Sequence, residues 1–176
     1  SEALNALLVP LSEADFQTPT QFKGWTINNI IRHLHVWNIA VDLSLQDEAA
    51  FSAFVAAIMA GVRGGKLPEF EASYLNDLSG HALLSAWLER VETTAAAFAA
   101  TDPRLRLKWV GPDMSALSSI TARLMETWSH AQAIYDVLGV ERIDADRIEF
   151  AVVGHAAQFG QRVLVAPRLL VRAFRG

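Results

Sequence analysis

Cysteine is absent from all 176 residues of the sequence. Its absence excludes a disulfide scaffold, a cysteine-ligated metal and a cysteine nucleophile. Any thiol chemistry must therefore use a thiol supplied from outside the chain. The absence also fits a reducing compartment, so we expect a cytoplasmic protein.

Charge and long apolar runs are scarce as well. Charged residues make up 19% of the chain and the formal net charge is −4, so we do not expect a nucleic-acid partner. No apolar run reaches the length of a membrane span, and no basic-then-apolar leader opens the sequence. Hydrophobic residues make up 52%, with alanine and leucine dominant and only six prolines. This composition favours one globular, helical domain.

The apolar spacing predicts an all-α fold, a bundle of four main helices. The first helix is expected over residues 2–15, although Pro10 would kink or end it. Thr26 is expected to cap the second helix, which runs to about residue 60 with a break near residues 46–48. The segment "GVRGGKLPEF" is interpreted as a turn-rich connection after this helix.

Two further helices complete the predicted bundle. The third begins at Ser79 or Gly80 and continues to about Ala100. The fourth begins at Ser115 and ends with Gly139 as its C-cap, because glycine readily adopts the left-handed backbone that closes a helix. We therefore assign the bundle to residues 1–140.

Residues 141–176 are predicted to form a short C-terminal extension, with a helix after Asp146 and a tail that begins a further region. This extension is rich in arginine: Arg147, Arg162, Arg168, Arg172 and Arg175. Contact with an anionic partner or membrane surface is one interpretation. Packing against a further region is the other.

Glu126 and His130 lie four residues apart in the predicted fourth helix, so they share one face. The helix is apolar on nearly every side, and a buried carboxylate is costly unless it is hydrogen-bonded, paired or bound to a metal. A cation between the two side chains would meet that cost. A plain Glu–His or Glu–Arg pair, with Arg123 as the neighbour, is the alternative. Three small residues on the same side would leave room above the pair: Ser119, Ala122 and Ala133.

A third ligand is available from the second helix, which carries His33 and His35. The two histidines flank the apolar face of that helix on opposite sides, so periodicity does not choose between them. Either one is equally consistent with a half-buried histidine bound to backbone or water. His81 is expected at the surface or in a cap, and His155 has no ligand-spaced partner.

Two segments resemble a known family. "GWTINNIIRHL" and "TARLMETWSHAQAIYDVLG" are similar to signatures of the DinB-like metal-binding four-helix bundles. More narrowly, they resemble the N-terminal domain of mycothiol-dependent maleylpyruvate isomerase, over about residues 1–140. Carried over by position, the family's metal ligands fall on His33, Glu126 and His130, and His35 has no counterpart. The segment "KWVGPDMS" is similar to a loop in a less characterised branch, and residues 147–176 do not match the isomerase's second domain.

The resemblance implies a metal-dependent S-transferase or isomerase that joins a low-molecular-weight thiol such as mycothiol to a small electrophile. Zinc is the expected metal, with nickel as the alternative, because ligand identity alone does not settle the ion. Arg123, Trp109 and Trp37 are expected to contact the substrate or thiol, and the loop at residues 109–114 to lie near the mouth of the site. A homodimer is considered as the assembly.

Two other classes of helical bundle bind metals. A ferritin-like di-iron centre needs several carboxylates and two Glu-x-x-His motifs, whereas this chain has a single Glu-x-x-x-His. A bundle that binds metal without turnover, in a regulatory or scaffolding role, stays open as the alternative.

Overall fold

Helices carry nearly all of the regular structure in the computed structural model, which describes residues 1–143. The predicted C-terminal helix and tail, including His155, lie outside the described residues. In chain order the helices are α1 (Glu2–Leu8), α2 (Ile27–Gln46), α3 (Glu48–Arg63), α4 (Leu67–Tyr74), α5 (Gly80–Ala99) and α6 (Ala116–Leu138). A 3-10 helix (Asp15–Gln17) precedes α2, and a two-stranded antiparallel ribbon, β1 (Arg106–Leu107) with β2 (Met114–Ser115), precedes α6. The prediction of an all-α bundle is confirmed.

The central element is α2, which packs against α3, α4, α5 and α6. Its buried residues recur at helical spacing and form the main core together with Trp87 of α5 and Ile134 of α6. Those α2 residues are Ile27, Ile30, Ile31 and Leu34. Because α2 touches every other long helix, a side chain leaving it can meet partners from several parts of the chain.

The predicted first helix over residues 2–15 is wrong in its extent, because α1 ends at Leu8. Pro10 explains the early end, since proline has no N–H to donate and its ring clashes with the carbonyl four residues earlier. The chain then turns and forms the separate 3-10 helix, whose Phe16 is fully buried.

The predicted break in the second helix is present at Asp47, which has extended backbone (φ −151°, ψ 91°). Its carboxylate accepts a hydrogen bond from the backbone N–H of Ala50 at 2.9 Å and so caps α3. The interpretation of residues 61–70 as a connection alone is wrong, because α4 begins within them at Leu67. Pro68 lies in the first turn of α4, where its missing N–H costs nothing.

The beginnings of α5 and α6 follow the sequence prediction. Gly80 has a φ of +56° and donates its N–H to Oδ1 of Asn28 at 2.9 Å, which ties the start of α5 to α2. Ser115 caps α6, and Gly139 ends it with a left-handed φ of +66°. None of the helices in residues 1–143 is both long and apolar enough to cross a membrane.

Candidate metal centre

Three side chains from two helices converge on one point. His33 of α2 and Glu126 and His130 of α6 each offer one ligand atom, and these atoms lie within 4.8 Å of one another. Nε2 of His130 is 3.1 Å from Oε2 of Glu126, and the two imidazole rings are 5.0 Å apart between centroids. Zinc ligands lie roughly 2.0–2.2 Å from the ion, so neighbouring ligands in a tetrahedral site are about 3–4 Å apart. Two imidazoles and a carboxylate at this spacing fit a zinc-like cation after small side-chain movements.

Glu126 differs from the sequence expectation, because half of its side chain is exposed (50%) whereas that of His130 is 13% exposed. The cost of burying a carboxylate therefore gives no reason for a metal here. The hydrogen bond with His130 lowers the pKa of Glu126, partial burial opposes this, and nearby positive charge adds to the lowering. The Glu126 carboxylate is thus ionised at neutral pH, and its exposed half opens the group to solvent.

Glu71 of α4 is a site residue that the sequence did not reveal. Its Oε1 is 2.7 Å from Nδ1 of His33, and its side chain is only 1% exposed. The sequence pattern predicts only a connection in this segment and gives Glu71 no role. Pro68 followed by Glu69 is the signal that would have predicted a helix start, since proline and acidic residues are favoured in a first turn.

Aromatic rings surround the two imidazoles. Phe22 lies edge-on to His130 at 4.9 Å between ring centroids, and Trp25 lies edge-on to His33 at 5.3 Å. Ser119, expected to leave room above the pair, is buried in helix packing. The surroundings of the group are therefore shaped by the loop before α2 as well as by α6.

Trp37 and Trp109 lie at increasing distance from the ligands. The ring centroid of Trp37 is 5.9 Å from that of His33, and Trp109 is 5.7 Å from Trp37. The indole Nε1 of Trp37 is buried and has no hydrogen-bond partner among residues 1–143. Trp109 also stacks on Phe51 at 5.8 Å, so Trp37 lies between it and His33 in the chain of ring contacts. Contact of either indole with substrate stays a prediction.

Arg123 is buried between α2 and α6. Its Nε donates to Oδ1 of Asn38 at 3.1 Å and its Nη2 to the carbonyl of Leu34 at 3.4 Å. Burial lowers the pKa of Arg123 to about 10, and the Glu126 carboxylate opposes that shift. Arg123 is thus a buried and not a solvated helix residue, and a substrate-binding role stays a prediction.

The other described histidines lie outside the group. His35 is buried. Its burial, and to a smaller extent the positive charge of Arg90, lowers its pKa to about 4. His81 lies at the start of α5, where its Nδ1 is 2.7 Å from Oε1 of Glu13. Of the two candidates on α2, the structure thus brings His33 to Glu126.

The fold and the group of three candidate ligands define a helical bundle with a candidate metal centre. Residues 1–135 match the family described as the mycothiol maleylpyruvate isomerase N-terminal domain, and the chain belongs to that family. Two similar proteins, both named as uncharacterized, come from Mycobacterium tuberculosis strains CDC 1551 / Oshkosh and ATCC 25618 / H37Rv. Each is 38% identical over 150 residues, which cover 84% of this chain and 57% of the relative. No solved structure matches significantly.

Proposed function

We propose that this domain is a metal-dependent, thiol-using enzyme. It would transfer a low-molecular-weight thiol, with mycothiol as the first candidate, to a small electrophile, or isomerise a substrate through such an adduct. The observation that carries the proposal is the group of His33, Glu126 and His130 within 4.8 Å, reachable from solvent at Glu126. Membership of a mycothiol-linked family and the absence of any cysteine support an external thiol. The relatives are longer than the matched region, so the activity of a whole protein belongs to this proposal too.

His33, Glu126 and His130 would hold the cation, with zinc as the first candidate and nickel as the second. Three protein ligands with a position left over are typical of catalytic rather than structural zinc sites. When bound, the cation would supply the positive charge that lowers the pKa of a thiol from its usual value of about 8.5.

The protein side chains would do the remaining work. The hydrogen bond with His130 holds the pKa of Glu126 below its ordinary value of 4.5, so the carboxylate is ionised at neutral pH and could act as a ligand without first losing a proton. The rings of Phe22, Trp25 and Trp37 pack against the two imidazoles and would limit the access of water to them. A small electrophile would thus react with the thiol beside these aromatic side chains.

The test is a thiol-consumption assay with a panel of electrophiles, comparing mycothiol with glutathione, on the chain loaded with zinc or nickel. We expect His130→Ala and Glu126→Ala to lose metal, measured by elemental analysis, and to lose turnover with it. Gln132→Ala is the matched control, because it changes another exposed side of α6. Turnover that survives both chelation and His130→Ala would refute the proposal. Thiol binding without turnover would favour the non-catalytic regulatory or scaffolding bundle.

A further inference from the structure

We propose that Glu71 is a positioning residue, which holds His33 as the tautomer protonated on Nδ1 and keeps Nε2 available to Glu126 and His130. The inference rests on the proposed function only where it names a metal as the partner of Nε2. The orientation and tautomer of His33 follow from contacts within the chain.

The hydrogen bond between Glu71 and His33 determines which nitrogen carries the proton. Nδ1 of His33 is 2.7 Å from Oε1 of Glu71, and the side chains are 12% and 1% exposed. An ionised carboxylate only accepts hydrogen bonds, and a neutral imidazole donates from one nitrogen alone. In the proposed arrangement Nδ1 donates to the carboxylate, which leaves the lone pair on Nε2. Imidazoles that bind metals commonly donate their second nitrogen to a carboxylate in this way.

The position of Glu71 is fixed by the packing of α4 against α3. The neighbouring Phe70 lies so close to Gly61 that a Cβ at that glycine would be 2.8 Å from Cβ of Phe70. One turn further along, Tyr74 stacks on Phe70 at 5.8 Å and lies edge-on to Phe54 of α3 at 5.3 Å. Contacts with α3 thus hold α4 in place before and after Glu71, and this fixes the position from which the carboxylate extends.

A buried carboxylate costs free energy unless it is hydrogen-bonded or paired. A structural role would meet that requirement simply by tying α4 to α2. A positioning role makes an additional demand, because it requires a defined tautomer of His33 and a metal affinity that depends on Glu71. The test therefore measures these two properties and not stability alone.

The first readout is the ring-nitrogen spectrum of His33 in the metal-free chain, from two-bond ¹H–¹⁵N correlation at mildly alkaline pH. His33→Gln provides the assignment. The second readout is the zinc affinity, from competition with a chromogenic chelator. Both are measured for Glu71→Leu, which removes the acceptor, and for Glu71→Gln, which keeps the shape and loses the charge. Glu69→Leu and Glu69→Gln are matched controls on the exposed side of the same helix.

We expect wild-type His33 to be protonated on Nδ1, and Glu71→Leu to shift the proton toward Nε2. Zinc affinity should fall about 10–100-fold in Glu71→Leu, less in Glu71→Gln and not at all in the Glu69 controls. The proposal is overturned if wild-type His33 is protonated on Nε2, or if Glu71→Leu leaves both tautomer and affinity unchanged. If Glu71→Leu does not fold, Glu71→Gln decides by the same two measurements. A Glu71-dependent tautomer in a chain that binds no metal would uphold the positioning role and refute the proposed function.

Discussion

At the scale of single residues, His81 joins α5 to the N-terminal segment through both ring nitrogens. Nδ1 is 2.7 Å from Oε1 of Glu13, and Nε2 is 3.1 Å from the carbonyl of Val9. An imidazolium donates both hydrogen bonds at once, whereas a neutral ring donates only one. The hydrogen bond to Glu13, followed by that to Val9, raises the pKa of His81, and the same contact lowers the pKa of Glu13.

These shifts predict a pH-dependent contribution to stability. A raised folded-state pKa means that the contribution of His81 is fully present below its unfolded value of about 6.5 and is lost as the pH rises through the folded value. A lowered pKa for Glu13 means that its contribution is present above its ordinary value of 4.5 and is lost as the pH falls through the folded value. We therefore expect His81→Gln to cost more free energy of unfolding at about pH 5.5 than at about pH 8.5.

Urea unfolding of wild type and His81→Gln at the two pH values measures this difference. Glu13→Gln is the control, because it removes the charged partner of His81. In the Glu13→Gln variant, the free-energy cost of adding His81→Gln should therefore depend less on pH. A cost of His81→Gln that does not change with pH would contradict the prediction.

Arg123 and Glu126 show why burial on α6 was predicted incorrectly from the sequence. Residues three apart on a helix lie on adjoining faces, so a modest rotation of the helix decides which of the two turns inward. The structure turns Arg123 toward Asn38 of α2 and leaves Glu126 half exposed. Sequence periodicity gives the angle between two side chains around the helix axis. It does not give the rotation of the helix about that axis, which decides the side chain that faces the neighbouring helix.

At the scale of elements, local capping chemistry made several helix ends predictable. Two backbone N–H groups at the start of α2 are satisfied by a reciprocal pair. Oγ1 of Thr26 accepts from the Asn29 N–H at 3.1 Å, and Oδ1 of Asn29 accepts from the Thr26 N–H at 3.0 Å. The same kind of signal placed the start of α6 at Ser115 and its end at Gly139. The short helix α4 was missed because eight residues carry too little periodicity to stand out from a glycine-rich connection.

The capping pair of α2 gives a prediction for stability. Thr26→Ala removes the acceptor for one of the first backbone N–H groups of α2, so we expect the free energy of unfolding to fall by about 1 kcal/mol. Thr26→Ser keeps a hydroxyl at the same place and should cost much less. Urea denaturation of both variants makes the comparison, and equal costs for alanine and serine would show that the hydroxyl is not what stabilises this helix end.

At the scale of the whole molecule, a ligand that binds only the folded chain adds to its stability. Zinc at 100 times its dissociation constant would raise the free energy of unfolding by about 2.7 kcal/mol. We expect zinc to raise the melting temperature of wild type and of Gln132→Ala, and to leave His130→Ala unchanged. Calorimetry with and without the ion tests this, and an equal shift in His130→Ala would place the bound zinc elsewhere on the molecule.

The all-α fold and the meeting of α2 with α6 were predictable because the motifs that point to them are local in the sequence. His33 could be chosen over His35 only through the family resemblance, since both flank the apolar face of α2. Glu71 was beyond prediction for a different reason. It lies 38 residues from His33, and their contact depends on how α4 docks against α2 and α3.

The contact between Glu71 and His33 also bears on the order of events as the chain folds. Each helix can form within a short stretch of sequence, but the group that joins α2, α4 and α6 requires long loops to close, which is slow because of their entropy. The three candidate ligands are therefore expected to come together late, after most of the helical backbone has formed. A metal ion would therefore bind after the helices have packed. It would stabilise the correctly folded chain and would not nucleate its folding.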